Sequence, residues 1–388
     1  MYNIIILGLV SMFNDISTEM IYPLMPIFIT SVLGASPAVL GLIEGIAESL
    51  ASLLKVFFGY IGDKTRKRKG LAITGYGSST IGRLFLYAAS SWGWVLTGRV
   101  IDRFGKGIRT APRDALIADS TDEATRGRAF GLHRALDSLG AVIGSAIAFV
   151  LLTRFTGDFR TIFLISMVPA LFGVALLFIV KEPPTPAHYK PPVQPLKAWS
   201  QLNGRLKAFL LVTLIFAVGN SSNTFLLLRA KDLGLSASTV VLVYTAYNAI
   251  YSGLSYPIGR ISDRIGRPTL LIVGYAISAL VYLGFAVNTS VAGVWALFLI
   301  YGVYIALTDG IEKAFLVDLA TPEMRGTVIG LHAAIVGLGL LPASAIAGVL
   351  WDRFGAAAPF YYGGATGLIA AGALWLLLST PAKARTNQ

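Results

Sequence analysis

The sequence predicts an all-α membrane protein, with twelve transmembrane helices in two pseudo-symmetric six-helix bundles. Three observations lead there. Of 388 residues, 55% are hydrophobic and 13% charged, and the mean hydropathy is +0.69, so there is too little polar sequence to surround a soluble core. Apolar windows of helical length recur at 4–30, 37–61, 71–91, 94–118, 128–152 and 160–180, then at 207–229, 237–258, 269–288, 292–317, 326–350 and 359–380. In lipid, windows this long read as helices, which satisfy their own backbone. The third observation is an internal repeat. An offset of 200 residues lays Gly59 and Asp63 on Gly259 and Asp263, while an offset of 199 lays Asp119, Gly131, Leu132 and His133 on Asp318, Gly330, Leu331 and His332. Registers this constant over half a chain indicate a duplicated six-helix unit. The expected division is 1–180 for the first bundle, 181–206 for a proline-rich linker, 207–380 for the second bundle and 381–388 for a tail.

Charge placement orients the chain. The net charge is +12, but KTRKRK at 64–69, the linker, Arg260, Arg264 and Arg267, and Lys383 and Arg385 all fall on one side. Arg154, Arg160, Arg229, Lys231 and Arg353 are the few on the other. By the positive-inside rule both termini and the linker are expected in the cytoplasm, the chain crossing the inner membrane many times. This placement accounts for the excess without a nucleic-acid partner. With only Met1, Tyr2 and Asn3 ahead of the first window and no charged leader, that window is expected to remain as a span. There is no cysteine, and hence no disulfide or thiolate chemistry. Neither a zinc-protease, a nucleophile-elbow nor a phosphate-loop motif occurs, and His133, His188 and His332 are too dispersed for a metal site. The expectation is no enzyme and no cofactor, with energy drawn from a gradient.

Taken in order, span one carries Asn14, Asp15 and Glu19 near its middle, the two carboxylates four apart and so on one helix face. Ionisable groups at that depth are costly, which marks them as a proton or cation site, a counter-charge to the basic stripe described next, or a static ion pair. Pro23 and Pro26 then interrupt the hydrogen-bond ladder. Span two places Gly41 and Gly45 at close-packing spacing, with Glu44, Glu48 and Lys55 along the same helix. Span four is the most charged: Arg99, Arg103, Lys106, Arg109 and Arg113 recur at steps of three and four and form one stripe. Five cations at membrane depth require a watery cavity or carboxylate partners; a helix lying on the membrane surface is the alternative. Span seven contains Asn220, Ser221, Ser222 and Asn223, suited to orienting a polar ligand or to bonding across helices. Tyr244, Tyr247, Asn248 and Tyr251 in span eight, and Tyr304, Asp309, Glu312 and Lys313 in span ten, complete the candidates.

Six plus six spans with a basic central loop and G-x-x-x-D-[RK] turns after spans two and eight resemble the major facilitator superfamily over essentially the whole chain. The turns are similar to its motif A, at Gly59, Asp63, Lys64, Arg66 and Lys67 and again at Gly259, Asp263, Arg264, Gly266 and Arg267. Arg103 and Gly107 match motif B, with Lys106 and Arg109 replacing uncharged positions. Gly140 and Gly144 match half of the antiporter motif C, whose proline is Ser145 here. The resemblance implies that spans one, four, seven and ten line a central cavity.

The function expected is a secondary active transporter moving a small anionic or polar organic solute by alternating access. Protons couple through Asp15 or Glu19; Arg103, Lys106, Arg109, Asn220, Asn223, Tyr247, Asn248, Tyr304 and Asp309 contact the solute. The partners are solute, protons and lipid, the protein being a monomer. A multidrug/proton antiporter, an organic anion exchanger and a lipid-handling transporter are the alternatives. The repeat also sets Arg113 and Asp114 against Glu312 and Lys313 with their signs reversed. Facing dyads would close the cytoplasmic mouth; the alternative is that each dyad pairs within its own half.

Overall fold

A computed structural model describes residues 2–65, 67–121, 126–155, 157–182, 199–321 and 324–379, nearly all of them helical. Arg66, most of the linker (183–198) and the tail lie outside the described residues, as does the side chain of Asp63. Helix α1 spans Tyr2–Ile21 and continues through short turns at Tyr22–Leu24, Met25–Ile27 and Phe28–Val32. Pro23 and Pro26 cause the change, because each lacks a backbone donor and crowds the preceding turn; the ladder first tightens and then widens. The first half continues with α2 (Pro37–Thr65), α3 (Arg68–Tyr87), α4 (Trp92–Asp119), α5 (Arg126–Arg154) and α6 (Phe159–Leu177). The second half comprises α7 (Gly204–Gly219), α8 (Thr224–Asp232), α9 (Ala237–Ile265), α10 (Arg267–Val287), α11 (Val291–Leu319), α12 (Arg325–Phe354) and α13 (Ala358–Ser379).

Twelve spans result, because α7 and α8 together form the seventh. Their separation at residues 220–223 is a correction to the continuous helix expected over 207–229. Asn and Ser side chains compete with the helical backbone for hydrogen bonds. Here both find partners elsewhere: the Tyr282 hydroxyl donates to Asn220 Oδ1 at 2.9 Å and the Ser222 hydroxyl to Glu44 at 3.3 Å, while the freed Ser222 backbone amide donates to Ser344 Oγ at 3.2 Å. Eight spans are long and apolar enough to cross a bilayer on composition alone. In α2, α3, α4 and α9, charged, hydroxyl and glycine residues interrupt the apolar face.

Capping fixes several helix starts. Asp158, Asn203, Ser236 and Ser290 each accept the amide proton three residues on, at 3.0, 2.8, 3.1 and 3.1 Å. Bonds from the Thr161 hydroxyl and amide also hold the exposed Asp158 carboxyl below the ordinary carboxylate range. Gly266, at φ +96°, turns the chain out of α9 so that Pro268 opens α10.

In the first bundle α1 packs on α5 and α6, and α4 on α2 and α3; in the second, α10 packs on α11 and α13, α9 on α11, and α7 on α12 and α13. The duplication is visible in individual bonds. Arg68 reaches the Ala115 carbonyl and Asp119, while Arg267, 199 residues later, reaches the Ala314 carbonyl and Asp318. Asn3 donates to Ser120 and to the Lys181 carbonyl at 3.0 and 2.8 Å, which gathers the start of α1 with the ends of α4 and α6 on what we call the linker side.

The bundles meet along α2–α12 and α5–α9. At the far side, α2 and α12 touch backbone to backbone: a Cβ added to Gly41 would stand 2.1 Å from the Ser344 carbonyl, and one on Gly348 2.5 Å from that of Pro37. Ala38 donates to Asp352 at 3.1 Å, and deeper in, Ser49 bonds the Gly337 carbonyl. Toward the linker side the same helices part. Lys55 and His332 line a space between them, and nothing stands within 4 Å of a Cβ placed on Gly326 or Gly330. The cavity between the bundles is thus closed at the far side and open at the linker side.

Candidate functional site

Three adjoining chambers, of about 280, 330 and 290 Å³, form this cavity and share lining residues. The innermost is bounded by Thr18, Glu19 and Tyr22 of the first span, Glu48, Arg103 and Lys106 from α2 and α4, Tyr244 of α9, and Asn220 to Asn223 at the break between α7 and α8. Leu340 is the one aliphatic side chain among its twelve lining residues. A discontinuous helix at this depth supplies backbone and side-chain polar groups where a lipid-facing segment could not.

The basic stripe of α4 divides. Arg99 is fully enclosed: its Nη2 reaches both carboxylate oxygens of Glu44 at 2.7 Å and Glu48 at 3.8 Å, with Asp102 at 4.0 Å. Arg103 pairs with Glu48 at 2.8 Å and Asp102 at 3.4 Å. Arg109 turns away toward α3, where its guanidinium lies 4.6 Å from the Tyr76 ring centroid and bonds the Ser79 hydroxyl. Room for this turn comes from the close approach of α3 and α4, where a Cβ on Gly105 would stand 2.3 Å from the Gly75 carbonyl. Arg113 bonds Asp114 at 2.8 Å and Ser11 at 3.0 Å. Arg103 and Lys106 both line the inner chamber, but Lys106 is the exposed residue of the stripe and has no ion-pair partner among the described residues. The chamber at the linker side adds Lys55, likewise without one.

The remaining candidates distribute as follows. Glu19 lines the inner chamber and accepts from the Tyr244 hydroxyl at 2.8 Å. Asp15 instead lies against α5, beside Asp137. Asn220 and Asn223 line the inner chamber while bonding Tyr304 and Tyr301. Tyr304 and Asp309 line the second chamber. Tyr247 and Asn248 are buried behind it: the Tyr247 ring packs 5.5 Å from those of both Tyr244 and Tyr301, and Asn248 donates to the Tyr244 carbonyl at 3.2 Å. Of the facing dyads, Glu312 pairs with His332 at 3.2 Å and Lys313 with Asp309 at 2.8 Å, while Arg113 and Asp114 pair with each other. At the turns, Gly59 lies against Ala111, Lys64 and Arg264 are exposed, and Asp263 pairs with Arg267 at 3.5 Å.

Glu44 and Asp102 are central to this arrangement, yet the sequence marks them only as charges on the helices they share with the candidates. Their spacing shows the signal, since Glu44 and Glu48, four apart on α2, match Arg99 and Arg103, four apart on α4. Arg134 and Asp137 on α5 had no such cue. No group of His, Asp and Glu suited to a metal occurs among the described residues.

Two helical bundles around a polar, one-sided cavity define a membrane transporter. A family model for the Major Facilitator Superfamily matches residues 7–229 and 208–388, and the chain belongs to that superfamily; it is a multi-pass membrane transporter and not an enzyme. Among its relatives is the uncharacterized MFS-type transporter MJ1317 of Methanocaldococcus jannaschii, 38% identical over 373 residues, covering 95% of this chain and 92% of the relative. The multidrug resistance protein MdtH of Klebsiella pneumoniae is 25% identical over 364 residues, 92% of this chain and 89% of that one. The fold is similar to that of the nucleoside transporter NupG, with a TM-score of 0.79 at 12% identity, covering 98% and 100% of the two chains. It is also similar to a bacterial homologue of the human lysosomal transporter Spinster in its inward-facing, occupied conformation, with a TM-score of 0.75 at 19% identity and coverage of 98% and 97%.

Proposed function

We propose that the protein carries a small, polar, anionic organic solute across the cytoplasmic membrane by alternating access, driven by protons. The observation that supports this most is the inner chamber, where a single aliphatic side chain stands among eleven that are polar, charged or tyrosine. A lipophilic ligand would strand those groups without partners, at about 1–3 kcal/mol each. Lys106 is the charge left over for a solute anion, with Lys55 on the way in. Arg103, Asn220, Asn223, Tyr304 and Asp309 shape the surroundings, whereas Arg109, Tyr247 and Asn248 act from behind them. Asp15 or Glu19 carries the coupling proton.

The protein works as a monomer, with bundles at 1–180 and 207–380, a linker at 181–206 and a tail at 381–388. Its linker side, bearing Lys64, Lys67, Lys69, Arg260 and Arg264, faces the cytoplasm, so the conformation described is open inward. Motif A positions Gly59, Asp63, Lys64, Gly259, Asp263 and Arg264 serve the turns on that side.

The test is uptake of radiolabelled organic acids into proteoliposomes with and without a proton gradient. Gradient-driven accumulation is expected, and Lys106→Gln should raise KM about tenfold or more, the effect of losing a charge-assisted hydrogen bond. Its thermal stability should stay near wild type, since the ammonium forms no hydrogen bond or ion pair with the described residues. A multidrug exporter is the second reading. It is favoured by the neutralisation of Arg99 and Arg103 by Glu44, Glu48 and Asp102, which leaves Glu19 available to a cation; displacement of bound solute by organic cations, but not by anions, would decide for it.

When the cytoplasmic mouth closes, Arg113 and Asp114 meet Glu312 and Lys313. The chain contains no cysteine, so Thr110→Cys in the open chamber gives a clean reporter. Glu312→Arg should increase its maleimide labelling, and adding Arg113→Glu should restore protection. Equal labelling of the single and double variants would show that the dyads do not meet.

A further inference from the structure

Where α1 crosses α5, the helices touch through glycine: a Cβ on Gly140 would stand 2.5 Å from the Met12 carbonyl, and one on Gly144 2.4 Å from that of Ile16. This crossing sets Asp15, one turn on from Ser11, toward Asp137, which Ser11 itself bonds at 2.8 Å, and brings the two carboxyls within reach of each other. An ionised carboxylate only accepts, so such a contact is a bond when one proton lies between the two and a repulsion otherwise. The rest of the shell is in place. Asn14 donates to Asp15 Oδ1 at 3.2 Å, Ser11 to Asp137 Oδ1 at 2.8 Å, and Arg134 Nη1 reaches Asp137 Oδ2 at 3.3 Å. His133, on the turn before Asp137 and only 5% exposed, leaves its Nε2 without a hydrogen-bond partner. The charged or titratable groups around the pair are Glu19 of α1, Arg83 of α3, Arg109 and Arg113 of α4, and His133 and Arg134 of α5.

Arg134 does not stop at Asp137. Its Nη2 reaches Asp309 of α11 at 3.3 Å and bonds the Tyr251 hydroxyl of α9, which itself donates to Asp309 at 2.9 Å. One guanidinium therefore holds an acid in each bundle, across the α5–α9 seam. We propose that Asp15 and Asp137 form a one-proton site, and that Arg134 reports its occupancy to Asp309 in the opposite bundle. This rests on the proton-driven reading and assigns the proton to a pair that excludes Glu19. The sign follows from charge. With the proton shared, the pair carries one negative charge and Arg134 divides itself between Asp137 and Asp309. When the proton leaves, by way of the His133 Nε2 or the cavity water, two negative charges remain in contact. Arg134, which is half exposed and free to move, is drawn wholly to Asp137. Asp309 is left to Lys313, and the strap across the seam is released.

Infrared difference spectra of the purified protein between acid and alkaline buffer, with and without carboxyl-labelled ¹³C-aspartate, read this proton without any solute. An isotope-sensitive protonated-carboxyl band is expected in wild type and in Glu19→Gln, and its absence in Asp15→Asn and Asp137→Asn. Ser11→Ala, which keeps both acids, should shift its frequency, so the assignment does not depend on variants that fail to fold. A band that survives in Asp137→Asn, or that Ser11→Ala leaves in place, overturns the shared site even if transport is proton-driven. Failure to find a transported solute would leave the spectra unaffected. For the strap, labelling of Thr110→Cys should depend on pH in the otherwise wild-type chain and lose that dependence in Arg134→Gln while the band persists. Labelling that remains pH-dependent in Arg134→Gln overturns the role of Arg134.

Discussion

Replacing Glu44 with glutamine is expected to destabilise the protein by about 3–5 kcal/mol, the range for breaking a buried ion pair by removing one partner. Glu44 is 0% exposed, and both its oxygens lie 2.7 Å from Arg99, itself 4% exposed at the side chain. Glu48 stands 3.8 Å from Arg99 and is already committed to Arg103 at 2.8 Å, so it cannot take over. The guanidinium would remain enclosed with half its compensation gone. Thermal unfolding in detergent checks the loss. The double variant Glu44→Gln with Arg99→Gln separates burial cost from pairing, since removing both charges should recover most of the stability. If the double variant is as unstable as the single one, the pair matters for packing rather than for charge.

A valine at Gly41 should prevent the far side from closing, and the transport cycle should stop. The Cβ alone would fall 2.1 Å from the Ser344 carbonyl and 3.2 Å from the Phe225 ring, and backbone cannot yield as a flexible side chain does. The bundles must part along α2–α12, favouring conformations in which that end is open. A bias of about 3 kcal/mol already shifts a two-state balance more than a hundredfold. Ser222→Cys, 4% exposed at the native residue and closed off from the far side, is the reporter. Impermeant maleimide added on the far side should label it slowly in the parent and rapidly with Gly41→Val. Unchanged labelling would mean that the helices slide to accommodate the methyls and that this contact is not a barrier.

The spans were legible because hydropathy and length are local properties, and the repeat because glycine, aspartate and histidine recur at fixed intervals. The helix contacts at Gly41 and Gly45 were legible in their spacing. Partner choice was not. The stripe on α4 reads as one face, yet the approach of α3 turns Arg109 onto Tyr76, while α2 neutralises Arg99 and Arg103, leaving Lys106 to the cavity. Likewise Asp15 and Glu19 share a helix face in sequence but separate in space, one meeting α5 and the other α9. Periodicity reports direction from the helix axis and not what stands there. The break in the seventh span was written in Asn220 to Asn223 and still missed, because the apolar residues on either side carry enough hydropathy for a single helix.

The lattice of Glu44, Glu48, Arg99, Asp102 and Arg103 also constrains how the chain is made. Neither α2 nor α4 is among the helices apolar enough to enter a bilayer by composition, and each unpaired charge at mid-depth costs about 2.5–3.5 kcal/mol during insertion. The carboxylates of α2 leave the ribosome some fifty residues before their arginine partners, so α2 has no counter-ion at the moment it would partition. Biogenesis should therefore hold α2 and α3 at the translocon until α4 arrives, releasing the three as a group. With α1 already inserted, site-directed crosslinking should find α2 beside the translocon in nascent chains truncated before Arg99 and should lose that contact in chains long enough to bring Asp119 clear of the ribosome.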